Sequence, residues 1–456
     1  MRRVLPQISS SECPRFAAAA ILALGCVASC VIEFPGSLEY DSMEQLLEGR
    51  TGVYSFWHPP IMSWMLGLSD ALMPGGAYFV LFDTLLAYGA LISLLWLVPR
   101  VRWTAAAGAA AFVLLPQLFM FQGIVWKDVL FADACLAGFV CLAHAAAHWR
   151  TAKLRLVLLG ASALFFALAM LVRQNGVIVL PCAALALGAI AFGQEKRWRT
   201  GAVYGVALLV ASSTVALAVN AALELRSDGS TAVEDQFKIL RLYDITGMVK
   251  MRPGLPLPVL EKDAPTLAKL IRSDGVRLFT PLKNDTLETS KRLIAALDDT
   301  DAPVLAKQWR ALIVRHPATY LVLRADLFRW VFFPPNEQLC HPYHVGNEGN
   351  PADLKALGIR VRDDRRDYAL SDYADVLVGS PVFAHPVYAL VVFLALFVLL
   401  RRRRPQDLAM AGLLTGALLF SLSFFVISIA CDYRYLYVLD LSAIAAALYL
   451  LADPKL

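Results

Sequence analysis

The feature that most constrains this chain is the recurrence of apolar runs as long as a bilayer is thick. A helix needs about 20 apolar residues to cross the hydrocarbon core. Ten such runs can be drawn, at 16–32, 76–98, 104–121, 129–147, 156–172, 176–193, 201–222, 383–400, 408–430 and 436–452. Several contain Pro, Gly or a charge, which a helix bundle tolerates when neighbours satisfy the freed backbone groups. Only 17% of the residues are charged, against about 25% in soluble domains. That excludes an ordinary cytosolic enzyme, a disordered tail and a disulfide-built mini-domain. The predicted fold is mainly α, a polytopic membrane bundle of about ten transmembrane helices with a large extracytoplasmic loop region. The first run follows Met1-Arg2-Arg3, as a signal peptide would. Val31-Ile32-Glu33-Phe34-Pro35 is a poor small-residue cleavage site, so the run reads as a retained helix.

Basic residues orient the bundle. With the amino terminus in the cytoplasm, the inside segments carry Arg2, Arg3, Arg15, Arg100, Arg102, Arg150, Lys153, Arg155, Lys196, Arg197, Arg199, Arg401 to Arg404 and Lys455. The short outside segments carry only Arg50, Lys127, Arg173 and Arg434. Sixteen against four is a strong positive-inside bias. It predicts a multi-pass protein of a bacterial inner membrane with both termini cytoplasmic. Three regions follow: an amino-terminal module over 1–222 with a first outside loop at 33–75, a loop domain over 223–382, and a three-helix module over 383–456. The stretch 224–382 holds 22 basic and 22 acidic residues, so it is neutral and soluble in composition. The charge pattern is that of a membrane protein, with no nucleic-acid footprint. Residues 303–333 read as amphipathic helices, lying either on the membrane surface or packed within the loop domain, and ended by Pro334-Pro335. Residues 336–372 read as loop. Of eight cysteines, only Cys340 and Cys431 fall in segments placed outside, so the sequence allows one disulfide between them.

The compact polar motifs of the helical part all fall on the outside. Glu39-Tyr40-Asp41 and Trp57-His58-Pro59-Pro60 lie in the first loop. Trp126-Lys127-Asp128, Arg173-Gln174-Asn175-Gly176 and Asp432-Tyr433-Arg434-Tyr435 lie at three further outer turns. Ionisable groups near a membrane are costly and tend to mark sites or paired structures. Asp41 and Glu39 could serve as general base toward a hydroxyl. Lys127, Arg173 and Arg434 could hold a phosphate or diphosphate, Arg by its bidentate fork. Together these suit a reaction on a phosphorylated lipid, with the lipid phosphate leaving. Plainer roles stand beside these. Asp41-Ser42-Met43-Glu44 resembles a capping box. His58 could pack in a rigid turn, and Lys127 with Asp128 could be an interfacial pair. Asp83, Asp133, His144 and Asp440 read as helix-packing hydrogen bonders.

With those motifs in place, the chain resembles the GT-C superfamily of membrane glycosyltransferases, which use polyprenyl-phosphate-linked sugars. Glu39-x-Asp41 looks like the acidic motif of the first outside loop. His58-Pro59-Pro60 looks like the His-Pro-Pro of protein O-mannosyltransferases and lipid A aminoarabinose transferases. Lys127-Asp128 supplies a second acid at the next outside turn, and a large extracytoplasmic region follows. The resemblance implies that Asp41 is the base and that Asp128 positions the acceptor or, in some members, a divalent metal. Glu39, Asp41 and Asp128 could together make an oxygen-rich site for Mg²⁺ or Mn²⁺, or Lys127 and Arg173 could replace the cation. It implies that His58 shapes the donor site and that transfer inverts the anomeric carbon. Arg173 and Arg434 are assigned to phosphate from charge and topology, with Asn175 and Tyr433 as neighbouring substrate contacts. Trp-Trp-Asp-Tyr-Gly is absent from the sequence, which argues against transfer to asparagine.

The expected function is transfer of a sugar from a polyprenyl-phosphate donor to a hydroxyl of a lipid, glycan or protein acceptor on the extracytoplasmic face. The alternative is a transporter or lipid flippase. Such proteins place substrate groups near the midplane, often between inverted repeats. Here the motifs sit at one surface and no repeat is visible.

Overall fold

The computed structural model describes residues 12–229, 232–333 and 340–454. Arg2, Arg3, Lys455 and the Pro334-Pro335 helix stop lie outside the described residues. Those described are helical, joined by loops with isolated β-bridges and no named strand among them. Among the described residues, nine helices are long and apolar enough to cross a membrane, and a bent pair of helices makes a tenth if it is counted as one span. The fold is the mainly α, multi-pass bundle that the sequence predicts.

The third expected span, 104–121, is broken. Its halves, Trp103–Phe112 and Pro116–Gly123, meet at 78°. Pro116 has no N–H to give the preceding turn and disfavours helix at Leu115, so the chain kinks here. Buried backbone freed by the break must find partners. The hydroxyls of Tyr437 and Tyr88 donate to the carbonyls of Gln117 (2.6 Å) and Leu118 (3.2 Å), and Tyr373 donates to that of Leu114.

The loop between the first two spans is built from two helices, Tyr40–Thr51 and Pro60–Leu72. They cross backbone to backbone at Gly49 and Gly67. A Cβ on Gly49 would lie 2.1 Å from the Ser63 carbonyl oxygen, and one on Gly67 would lie 2.3 Å from that of Gly49. Glu48, on the buried face of the first helix, accepts from the backbone N–H (2.8 Å) and hydroxyl (2.6 Å) of Ser55 and from the Ser63 hydroxyl (2.7 Å). It thereby shapes the turn that carries His58.

The long stretch 223–382 divides by packing. Its first part surrounds a core of its own, with Leu242, Tyr243, Leu305, Leu312 and Leu323 buried together. The helices Ala302–Arg315 and Pro317–Phe332 belong to it. The Trp309 indole and Arg324 guanidinium both bond Asp244, at 2.8 and 2.5 Å, so their aromatic and charged groups pack within the loop unit. The second part, from Cys340, packs with the membrane helices through Tyr343, Leu354 and Leu370. The expected loop over 336–372 contains two helices where it is described, Pro351–Leu357 and Arg365–Asp375. Asn350 and Asp364 cap them, accepting from the N–H groups of Ala352 (3.0 Å) and Arg366 (2.8 Å). Their polar composition masked these starts. Cys340 and Cys431 form a disulfide with Cα atoms 5.5 Å apart.

Candidate active site

The first loop and the fourth span are registered by backbone. Ser37 N–H donates to Gly123 C=O at 2.8 Å, and Val125 N–H to Ser37 C=O at 3.0 Å. Four residues beyond Ser37 stands Asp41, and two beyond Val125 stands Lys127. Each opens a helix, Tyr40–Thr51 or Lys127–Ala147. The capping box suggested for Asp41 forms two residues earlier: the Ser42 hydroxyl accepts from the Glu39 N–H at 2.7 Å. Asp41 is thereby free of capping, and it turns toward cations from three other parts of the chain.

Arg434 is the hub. It enters from the tight turn Tyr433–Leu436 that opens the last span. One nitrogen donates to Asp41 Oδ2 at 2.9 Å and another to Glu39. Asp432 lies 3.6 Å away and Asp128 3.9 Å away, while the guanidinium sits 5.4 Å over the Trp126 ring. Lys127 Nζ stands 3.7 Å from Asp41 Oδ2 and donates to His58 Nδ1 at 2.9 Å. The other face of His58 looks to Asp41 at 3.9 Å and Glu44 at 3.7 Å. Arg173, at the end of the fifth-span helix Ala152–Val172, pairs with Asp128 at 3.0 Å and lies over Phe424 and Tyr435.

Seven of the nine expected residues thus meet at one end of the bundle: Glu39, Asp41, His58, Lys127, Asp128, Arg173 and Arg434. Two lie elsewhere. Asn175 donates to the Ser423 hydroxyl at 3.0 Å, toward the ninth span. Tyr433 is fully buried, donates to Asp440 at 2.6 Å and stacks on His385 at 4.0 Å. In the tight turn its side chain points opposite to that of Arg434. Sequence reasoning did not assign Glu44, Glu48 or Asp432 to the site. A carboxylate on the buried face of the amphipathic Tyr40–Thr51 helix was the available signal for Glu48. Asp440 and His144 serve packing as expected, bonding His385 (2.9 Å) and the Ser93 carbonyl (3.1 Å). Asp133 takes a 3.3 Å bond from Gln122. No hydrogen bond to Asp83 is found among the described residues.

Electrostatics set the carboxylates apart. Burial works against the Asp41 charge, but Arg434, Lys127 and His58 outweigh it and hold the carboxyl well below the usual range. For Glu39, burial prevails over the pull of Arg434, and the nearby charges of Asp41 and Asp432 add to it, so its carboxyl is pushed up to about 7. The side chain of Asp41 is 33% exposed, whereas that of Asp128 is 3% exposed. The more accessible carboxylate and the buried one are therefore different residues. A divalent cation does not fit this donor set, because each carboxylate already faces a guanidinium or ammonium. Among the described residues, no group of three or more His, Cys, Asp and Glu side chains is disposed to hold a metal ion.

A cleft of about 440 Å³ lies beside the cluster, bordered by Trp57 and by residues of the loop unit. None of the seven clustered residues lines it.

No protein-family profile matches the chain, and no curated protein matches it. Among solved structures it is similar to the archaeal oligosaccharyltransferase AglB from Archaeoglobus fulgidus, determined in complex with an inhibitory peptide and a dolichol-phosphate. The two share 13% identity at a TM-score of 0.42, over 95% of this chain and 50% of that one. The chain therefore spans about half the length of that enzyme.

Proposed function

We propose that the protein is a membrane glycosyltransferase that moves a sugar from a polyprenyl-phosphate donor to a hydroxyl acceptor on the extracytoplasmic face. The observation that carries this reading is the contact of Arg434 with Asp41 at 2.9 Å, with Lys127 at 3.7 Å from the same carboxylate oxygen. A candidate base and candidate phosphate ligands share one half-buried spot at the end of an apolar bundle.

The pairing also suggests an order of events. Held by Arg434 and Lys127, Asp41 is a weak base, because its acidity is far from that of a group poised near working pH. A donor phosphate draws those cations to itself and releases the carboxylate from their field. Asp41 then takes the acceptor proton as the acceptor oxygen attacks the anomeric carbon. The bond from that carbon to the phosphate oxygen breaks, the phosphate leaves with the electron pair, and Arg434 and Lys127 balance its charge. Attack opposite the leaving group inverts the anomeric centre. Asp128 and Arg173, buried behind, hold the cations in place.

Replacing the base tests this. Asp41→Asn should lower transfer by about 10²–10⁴-fold while membrane abundance stays unchanged. Full transfer in Asp41→Asn, measured by mass spectrometry of lipids and glycans from cells carrying only that variant, removes the mechanism.

A further inference from the structure

The cleft beside the cluster is walled by the amino-terminal half of the helix Ala232–Met251, by the helix Lys291–Asp298 and by Trp57. It is tied to the cluster at two points. Trp57 immediately precedes His58, whose ring accepts from Lys127. Gln236, on the wall helix, donates to the Trp57 carbonyl and accepts from Gln174 at 3.2 Å, and Gln174 immediately follows Arg173. The cleft and the ion-pair cluster therefore share a wall.

The lining restricts what can occupy it. Lys238 and Lys291 supply donors, Asp235, Glu288 and Asp298 supply acceptors, and Trp57 supplies an aromatic face. Lys238 keeps one contact of its own, a 3.3 Å bond to the Asp298 carbonyl. A polyanion is disfavoured, because acids outnumber lysines. Ile239, Ile294, Ala295 and Leu297 add apolar surface, but the five charged groups set among them disfavour an acyl chain. A peptide added as a strand would need a free sheet edge, and two walls are helices. A sugar chain meets every condition. Its hydroxyls both donate and accept, its C–H faces pack on an indole, and the volume falls within the range of about 300–1,000 Å³ for ligand sites.

Building on the glycosyltransferase reading, we propose that the Trp57 cleft is the acceptor site and that its ligand is an oligosaccharide, so the enzyme extends or decorates a glycan. The hydroxyl to be glycosylated would reach past Trp57 toward Asp41.

Binding can be measured without any transfer. Full-length protein in nanodiscs is mixed with oligosaccharides released from the envelope of the cells that express it, and separately with peptides from the same envelope. Contact is read by saturation-transfer NMR. Ala295→Trp fills the cleft from an exposed helix position and should abolish the glycan signal. Trp57→Ala should weaken glycan binding about tenfold, the scale of an aromatic anchor. An undiminished glycan signal in folded Ala295→Trp overturns the proposal, as does a signal from the peptides alone or none from the glycans. If the transferase reading is what fails, the pattern differs: glycan binding follows the cleft variants while the wild-type protein transfers no sugar.

Discussion

Arg434 and Asp41 stand 393 positions apart in the chain and 2.9 Å apart in space. The contact fastens the start of the last span to the first helix of the first loop, across the mouth of the bundle. It acts on both carboxylates that share the guanidinium, and the predictions for Glu39 and His385 below depend on it.

The pH dependence follows from Glu39. Its carboxyl is raised to about 7 by burial, so it is neutral below that pH and charged above. Ionised Glu39 competes with an anionic donor for Arg434. A sugar phosphodiester keeps a single charge throughout, so the change lies in the protein. The donor KM should rise severalfold as pH increases through about 7, and Glu39→Gln should flatten the profile. An identical slope in Glu39→Gln would assign it to another group.

Asp128 and Arg173 form a buried pair at 3.0 Å. Removing one partner leaves an uncompensated buried charge, at a cost of about 3–5 kcal/mol. Asp128→Asn should lower the thermal midpoint of the purified protein markedly, and adding Arg173→Gln should recover part of the loss. A single variant as stable as wild type would show that the pair does not hold the site together.

Metal dependence is expected to be absent, since guanidinium and ammonium groups already occupy the positions a cation would take. Saturating EDTA should leave the initial rate of transfer unchanged. A loss restored by Mg²⁺ or Mn²⁺ would mean that the carboxylates exchange their partners during the reaction.

His385 sits under the turn that presents Arg434. One ring nitrogen is 2.9 Å from Asp440 Oδ1 and the other 3.1 Å from the Tyr433 carbonyl oxygen. His385→Ala unties that carbonyl and should reduce kcat and donor affinity together, through a displaced Arg434. His385→Gln, which can still donate a hydrogen bond to the carbonyl, should restore part of both. If His385→Ala changes only the thermal midpoint, the histidine serves packing alone.

Much of the site was legible because charge is costly in a membrane, so each polar motif near the bilayer stood out. Asn175 and Tyr433 were drawn in by adjacency to Arg173 and Arg434. Neighbouring residues in a tight turn face different ways, and these two face the helices. The helices Pro351–Leu357 and Arg365–Asp375 escaped notice because they are short and polar. They are held by caps and by contact with the first loop, where Leu38 bonds Gly346 and Glu348 at 3.0 and 2.8 Å.

By itself the sequence determined the number of spans and the shared side of the polar turns, because hydrophobicity and flanking charge are local properties that the bilayer reads segment by segment. Only the tertiary structure decided that Arg434 serves Asp41 while Arg173 serves Asp128, that the third span breaks at Pro116, and that a cleft opens beside Trp57. Those outcomes depend on backbone bridges and buried ion pairs between distant segments. Their energies exist only after the segments have met.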